Sequence, residues 1–264
     1  MKKITIIGGD RRLRIAKEEL ENNGFLVDTI GLFEKDDGNI ENSDVLLFPV
    51  PTTRDKITVF CPLTERIIKL EDFENINDKL VLTANYSFQK TECIDYCKTD
   101  SYSLLNAVPT AEGAISFAIE NTPFTLWKSR VLVIGYGRTG KILADRLKSL
   151  GADVTVSARK QRDFALLDAL NIDYCNTLLL DSIPLDFDII FNTIDFVYIN
   201  KNLKNLKNCL IVDLSSKGGF DFEKAKALGI VCRKLPSIPG KCAPKTAGEI
   251  LAKTAINLIE GEKI

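Results

Sequence analysis

The residues with the clearest chemical potential are Gly135-Tyr136-Gly137-Arg138-Thr139-Gly140, reached directly from the apolar run Val131-Leu132-Val133-Ile134. Glycines at this spacing suit the holding of a pyrophosphate. Gly135 permits a tight turn, Gly137 lets backbone approach the anion, and Gly140 lets a helix pack on the strand. Unpaired N–H groups and the helix dipole favour negative charge at that helix start, where Arg138 and Thr139 also stand. The context fits a strand–turn–helix–strand unit. Leu143, Leu147 and Leu150 recur with helical spacing, Gly151 closes the helix, and residues 154–156 begin the next strand. The end of that strand selects the cofactor. A chain binding NAD usually carries Asp or Glu there, roughly 20 residues after the loop begins. Here the residues are Ser157-Ala158-Arg159-Lys160, with no carboxylate until Asp163. A hydroxyl and two cations suit a ribose 2′-phosphate, so the expected cofactor is NADP.

The nicotinamide end should lie over the carboxyl ends of later strands. Asn192 and Thr193 follow one of them and can hydrogen-bond the cofactor. Asp213 and Ser215-Ser216-Lys217-Gly218-Gly219 follow the next. Gly218 and Gly219 allow close backbone approach, Lys217 can pair with an acidic substrate or stand solvated, and Asp213 reads equally as a loop-capping carboxylate. Further on, three prolines stiffen residues 235–246, and Lys241 and Lys245 stand just ahead of a helix start. Positive charge is unfavourable there unless an anion is near. Near the N-terminus, Gly8-Gly9-Asp10-Arg11-Arg12 also ends a strand, but Asp10 and Leu13 replace the later glycines of a dinucleotide loop. Arg11 or Arg12 can hold a substrate carboxylate there, and a plain surface turn explains either one equally well. The candidate substrate set is therefore Arg11, Arg12, Ser216, Lys217, Gly218 and Lys241. No residue stands out as a general acid or base, and the chain has no histidine, the commonest one.

Composition narrows the function classes. The 264 residues carry 35 basic and 36 acidic side chains, a balance that gives no support to nucleic-acid or membrane-surface binding. The apolar runs are far too short for a membrane span. Residues 4–9 run straight into Asp10-Arg11-Arg12 and read as strand and turn rather than a signal peptide. Seven cysteines without framework spacing point to reduced thiols in a cytoplasmic protein. Cys93 and Cys97 can share a helix face, but without histidine or a second pair a zinc site is not expected, and no metal is assigned.

The elements that must position these groups alternate between strand and helix, which implies parallel strands joined by crossovers. Strands are expected at residues 4–7, 25–27, 44–48 and 80–84, then at 130–134, 154–156, 188–191, 210–214 and 230–232. Helices are expected around Ile15, Ala16, Glu19 and Leu20, and from an N-cap at Thr110. A last helix should open with the capping box Thr246-x-x-Glu249 and carry Ile250, Leu251, Thr254, Ala255, Leu258 and Ile259 on its apolar face. The fold class is thus α/β, with two parallel-sheet domains. Residues 1–120 would form a flavodoxin- or Rossmann-like substrate-side domain without a dinucleotide of its own. Residues 121–245 would form a Rossmann NADP-binding domain. Residues 246–264 would return as a helix to the first domain, beside the helix at Thr110.

Taken together, the motifs resemble the dipicolinate synthase A-subunit family over nearly the whole chain. The resemblance is carried by Ile7-Gly8-Gly9-Asp10-Arg11-Arg12, Leu47-Phe48-Pro49-Val50-Pro51 and Pro109-Thr110-Ala111-Glu112-Gly113-Ala114-Ile115. It continues in the glycine loop, Asp213-Leu214-Ser215-Ser216-Lys217-Gly218-Gly219, Leu235-Pro236-Ser237-Ile238-Pro239-Gly240-Lys241 and Ala243-Pro244-Lys245-Thr246-Ala247-Gly248. It implies an NADP-dependent enzyme that oxidises dihydro- or hydroxytetrahydrodipicolinate to dipicolinate during sporulation, in the mother-cell cytoplasm. It also implies a flavoprotein-like partner, the dipicolinate synthase B-subunit, and a homo-oligomer is compatible with it. Creating an aromatic ring is downhill and needs little acid–base help, so orientation against the nicotinamide would supply most of the catalysis. Two other readings stay open. One is a different two-domain NADP dehydrogenase of amino-acid, 2-hydroxy-acid or methylene-tetrahydrofolate type, although hydroxy-acid enzymes usually need a histidine base. The other is a non-catalytic NADP-binding subunit.

Overall fold

The computed structural model describes residues 1–206 and 208–261. Lys207 and the last three residues of the expected 246–264 segment lie outside the described residues. The chain divides into two compact units, one of residues 1–106 with 239–264 and one of residues 107–238.

In the first unit, β1 (Lys3–Ile7) leads through Gly8 and Gly9 into α1 (Arg11–Asn22), followed by β2 (Leu26–Ile30), β3 (Val45–Leu47), β4 (Leu80–Thr83) and β5 (Ile94–Asp95). The five strands are parallel in the order β2-β1-β3-β4-β5, the flavodoxin-like arrangement. Both faces of this sheet are covered, which is why its inner strands β1, β3 and β4 are nearly continuous apolar runs. Strict alternation with helices does not hold here. Loops and a 3₁₀ turn at Leu70–Phe73 join β3 to β4. Cys93 and Cys97 lie on a loop and a 3₁₀ turn around β5, so the shared helix face expected for them does not exist.

The next helix, α2 (Asp100–Glu120), begins well before Thr110, which sits mid-helix rather than at its N-cap. Pro109 explains the misreading. A proline breaks the local pattern and removes one backbone hydrogen bond, yet buried Tyr102 and Ala107 still anchor the first turns. The change of unit falls inside this helix, between Asn106 and Ala107.

The second unit runs β6 (Arg130–Ile134), α3 (Arg138–Ser149), β7 (Asp153–Ala158), α4 (Gln161–Ala169), β8 (Asp173–Asn176), β9 (Ile189–Asn192), β10 (Leu210–Asp213), α5 (Phe222–Ala227) and β11 (Val231–Lys234). Its six parallel strands are ordered β8-β7-β6-β9-β10-β11, the doubly wound Rossmann order. The chain reverses direction through the sheet between β6 and β9, which places the loops after these two strands side by side. Leu143 and Leu147 are buried on the α3 face as their spacing requires, whereas Leu150 is the C-cap and is exposed.

After the short α6 (Ile238–Cys242), α7 (Pro244–Glu260) belongs to the first unit and packs along α1 rather than beside a helix at Thr110. Gly248 makes this approach possible, since a Cβ there would come within 2.6 Å of the Arg12 carbonyl oxygen and of Ile15. The helix starts with Pro244 in its first turn and Ala243 as the cap, so the Thr246-x-x-Glu249 box does not form. Its residues Leu251, Thr254, Ala255 and Ile259 are buried. Among the described residues, no helix is long and apolar enough to cross a membrane.

Candidate functional site

The glycine turn at the end of β6 is built by three glycines under three different constraints. Gly135 has a φ of 97°, a left-handed angle that glycine adopts without penalty. A Cβ on it would lie 2.6 Å from both Thr193 Oγ1 and Ile194 Cγ2. Gly140 is tighter still, with a Cβ position 2.0 Å from the Gly135 carbonyl oxygen. Packing of α3 onto the turn therefore demands glycine at both positions. Gly137 has an ordinary φ of −81° as the N-cap of α3, and a Cβ there would meet nothing within 4 Å. Neither conformation nor any protein neighbour requires glycine at that position. A side chain would only fill the space in front of the helix start, where no side-chain cap stands. That is the cradle a pyrophosphate needs.

Around this turn the structure divides the expected cofactor residues. Arg138 is exposed at the first position of α3 and Thr139 half-buried beside it. Arg159 and Lys160 are exposed just past β7, with Lys160 opening α4. Ser157 does not join them. It is fully buried, and its hydroxyl accepts a hydrogen bond from Thr177 Oγ1 at 3.1 Å, inside the sheet layer. Asn192 and Thr193 are likewise committed to the protein. The buried Asn192 amide donates to Asp213 Oδ1 and to the Ile194 carbonyl, each at 2.8 Å. Thr193 donates through both its N–H and its hydroxyl to the Ile134 carbonyl at 2.9 Å. These two side chains fasten the loop after β9 to the glycine turn, each through bonds that it donates.

The loop after β10 is organised by two aspartates. Asp213 is fully buried and accepts from Asn192, from the Ser215 N–H and hydroxyl, and from the Gly219 N–H at 2.9 Å. The loop-capping reading of Asp213 describes this geometry. Gly219 is required by the same pair, because a Cβ there would lie 2.0 Å from Asn192 Nδ2. Asp195 accepts from the Ser216 hydroxyl at 2.7 Å and the Lys217 N–H at 2.8 Å. Burial pushes its carboxyl up, but those hydrogen bonds and the Lys217 charge outweigh burial and hold it below the usual carboxylate range. Ser216, Lys217 and Gly218 are thus brought together, with the Lys217 side chain exposed and Gly218 at a φ of 103°. Asp195 escaped sequence reasoning. The available signal was a lone carboxylate just past the strand beside the glycine strand.

In the first unit, Arg11 and Lys241 are exposed, whereas Arg12 is buried. Arg12 pairs with Asp10 at 2.7 Å and donates to the Val50 carbonyl at 2.5 Å. Burial opposes its charge, and the hydrogen-bonded Asp10 carboxylate more than compensates, keeping the guanidinium above its ordinary range. Asp10 also caps α1 by accepting from the Arg12 N–H, and Gly240 closes over the pair, its Cβ position 2.9 Å from Arg12 Nε. Arg12 therefore ties the loop between β1 and α1 to the loop after β3, beneath Gly240, as a buried ion pair rather than as an exposed cation.

Residues 3–106 match the N-terminal domain of the dipicolinate synthase A-subunit. The chain is 31% identical over 284 residues to the dipicolinate synthase A-subunit of Bacillus subtilis (strain 168), covering 97% of this chain and 95% of that one. A crystal structure of the dipicolinate synthase A-subunit from Bacillus halodurans has a TM-score of 0.90 at 28% identity, covering 98% and 97% of the two chains. Salmonella D-lactate dehydrogenase shares the fold alone, with a TM-score of 0.64 at 14% identity and coverage of 99% and 97%. Identity along nearly the full length of both sequences, with the same two parallel sheets, leads to one assignment: the chain belongs to the dipicolinate synthase A-subunit family.

Proposed function

We propose that this chain is the NADP-binding A-subunit of a dipicolinate synthase, oxidising dihydro- or hydroxytetrahydrodipicolinate to dipicolinate beside a flavoprotein-like B-subunit. The observation that carries the reading is Gly137, a glycine whose only evident reason is room for a ligand at the start of α3. The second unit is then the cofactor domain. Gly135, Gly137, Arg138, Thr139 and Gly140 would hold the pyrophosphate, and Arg159 and Lys160 the 2′-phosphate. NADP, when bound, supplies a hydride acceptor.

Conversion of a hydroxytetrahydropyridine dicarboxylate to the aromatic pyridine loses one water, one hydride and one proton. No histidine is present to take the proton, and ring aromatisation lessens the need for one. On the second unit, Ser216, Lys217 and Gly218 are the proposed substrate contacts. On the first, Arg11 and Lys241 are exposed cations of the candidate set. Family membership further supports action in the mother-cell cytoplasm of a sporulating bacterium.

Two measurements test the proposal. Calorimetric titration should show NADP binding at least about tenfold more tightly than NAD, or about 1.4 kcal/mol. Arg159→Asp should erase or reverse the preference, and equal affinities in the native chain would sink the NADP assignment. Next, the purified chain is mixed with NADP and freshly generated hydroxytetrahydrodipicolinate, with and without the flavoprotein-like partner. NADPH and dipicolinate should form together. Tight NADP binding without turnover under either condition would make it a non-catalytic subunit.

A further inference from the structure

The loop after β9 carries an aromatic pair of which one ring is exposed and the other half-buried against the second unit's core. Phe196 is 61% exposed, and its ring centroid lies 4.6 Å from that of Tyr198. The Tyr198 hydroxyl accepts a hydrogen bond from Arg159 Nη1 at 3.4 Å. These partners lie 39 residues apart in sequence, and sheet order brings them together. β7 and β9 flank β6 on opposite sides. At the carboxyl end of β6, the Gly135 N–H donates to the Ser157 carbonyl at 3.0 Å, while Thr193 is fastened to the Ile134 carbonyl. The Arg159–Tyr198 contact therefore spans the end of β6, linking the loops on either side of the glycine turn.

Among the described residues, no carboxylate is ion-paired with Arg159. A guanidinium has five donors in a planar fork, so the Tyr198 contact leaves an edge open for two parallel bonds to a phosphate. A long side chain held before its ligand arrives loses less freedom on binding. The neighbouring Phe196 ring offers the kind of surface on which a purine stacks.

We propose that Tyr198 is a positioning residue for a ribose 2′-phosphate, holding Arg159 edge-on to it while the Phe196–Tyr198 pair takes the adenine face. This rests on the NADP reading above and assigns its specificity to a side chain outside the glycine loop. Tyr198→Phe keeps the ring against Phe196 and removes only the hydroxyl. In titrations of the full chain, it should weaken NADP and 2′,5′-ADP about fivefold while leaving NAD and 5′-AMP within about twofold. Phe196→Ala should weaken all four ligands alike. A purely structural role for Tyr198 would lower all four affinities together and leave the NADP-to-NAD ratio unchanged, which overturns the proposal, as does a Phe196→Ala chain that binds all four normally. A native chain that binds both dinucleotides without preference also overturns it, yet leaves the dinucleotide site standing. A native chain that binds neither removes both.

Discussion

Gly137 and Gly140 stand three residues apart and answer to different demands, which makes them a matched pair for experiment. Alanine at 140 must push against the Gly135 carbonyl from 2.0 Å, so Gly140→Ala should cost about 1–3 kcal/mol in urea unfolding without any ligand. Alanine at 137 meets no protein atom within 4 Å, so Gly137→Ala should leave unliganded stability within about 0.5 kcal/mol. Dinucleotide binding should nonetheless fall about tenfold or more in the same chain. A Gly137→Ala protein that is unstable, or that binds NADP normally, would contradict the cradle. Sequence exposed this loop because its glycines sit at fixed spacing between a strand and a helix. Burial was invisible to it. Ser157 and Arg12 have the residue types of ligand-binding groups, but the Thr177 hydroxyl and the Val50 carbonyl that help to claim them lie 20 and 38 residues away, where no spacing rule reaches.

Elements were easiest to read where one face had to be apolar. α3 and α7 announce themselves by periodicity and β6 by its continuous apolar run, whereas β8 does neither, because its residues Asp173-Tyr174-Cys175-Asn176 form an edge strand without a buried apolar run. β5 has only two residues and was invisible for the same reason. The α1–α7 pair shows what periodicity leaves out: an apolar stripe fixes that a helix is buried, not against which partner. Leu251 is 1% exposed in the cluster shared by α1, α7 and the first sheet. Leu251→Ala should therefore cost about 2–5 kcal/mol of first-unit stability. Hydrogen exchange should show α1 and α7 losing protection together, and loss confined to α7 would refute their joint packing.

At the scale of the whole chain, the two units have separate cores, so acid should not loosen them for the same reasons. Asp36 follows β2 and accepts from the Gly31, Leu32 and Phe33 N–H groups at 2.9, 2.7 and 3.1 Å. Burial pushes its carboxyl up, but the hydrogen bonds from Gly31, Phe33, Leu32 and Thr29 prevail and hold it below the ordinary range. A carboxylate depressed by folding adds stability above its unfolded pKa, near about 4, and that stability is lost as pH falls through the folded value. The first unit should lose this contribution below about pH 4. Asp36→Asn should flatten that part of the pH dependence, and an unaltered acid limb in the variant would exclude the group.

The return of α7 to the first unit also imposes an order on synthesis. Residues 107–238 are continuous and can fold as soon as they clear the ribosome. The sheet that begins at Lys3 must wait, because Leu251, Ala252, Ala255 and Ile259 complete its core. β1, made before any strand of the second unit, thus belongs to the unit that matures later, its apolar face uncovered while residues 107–238 are already folded.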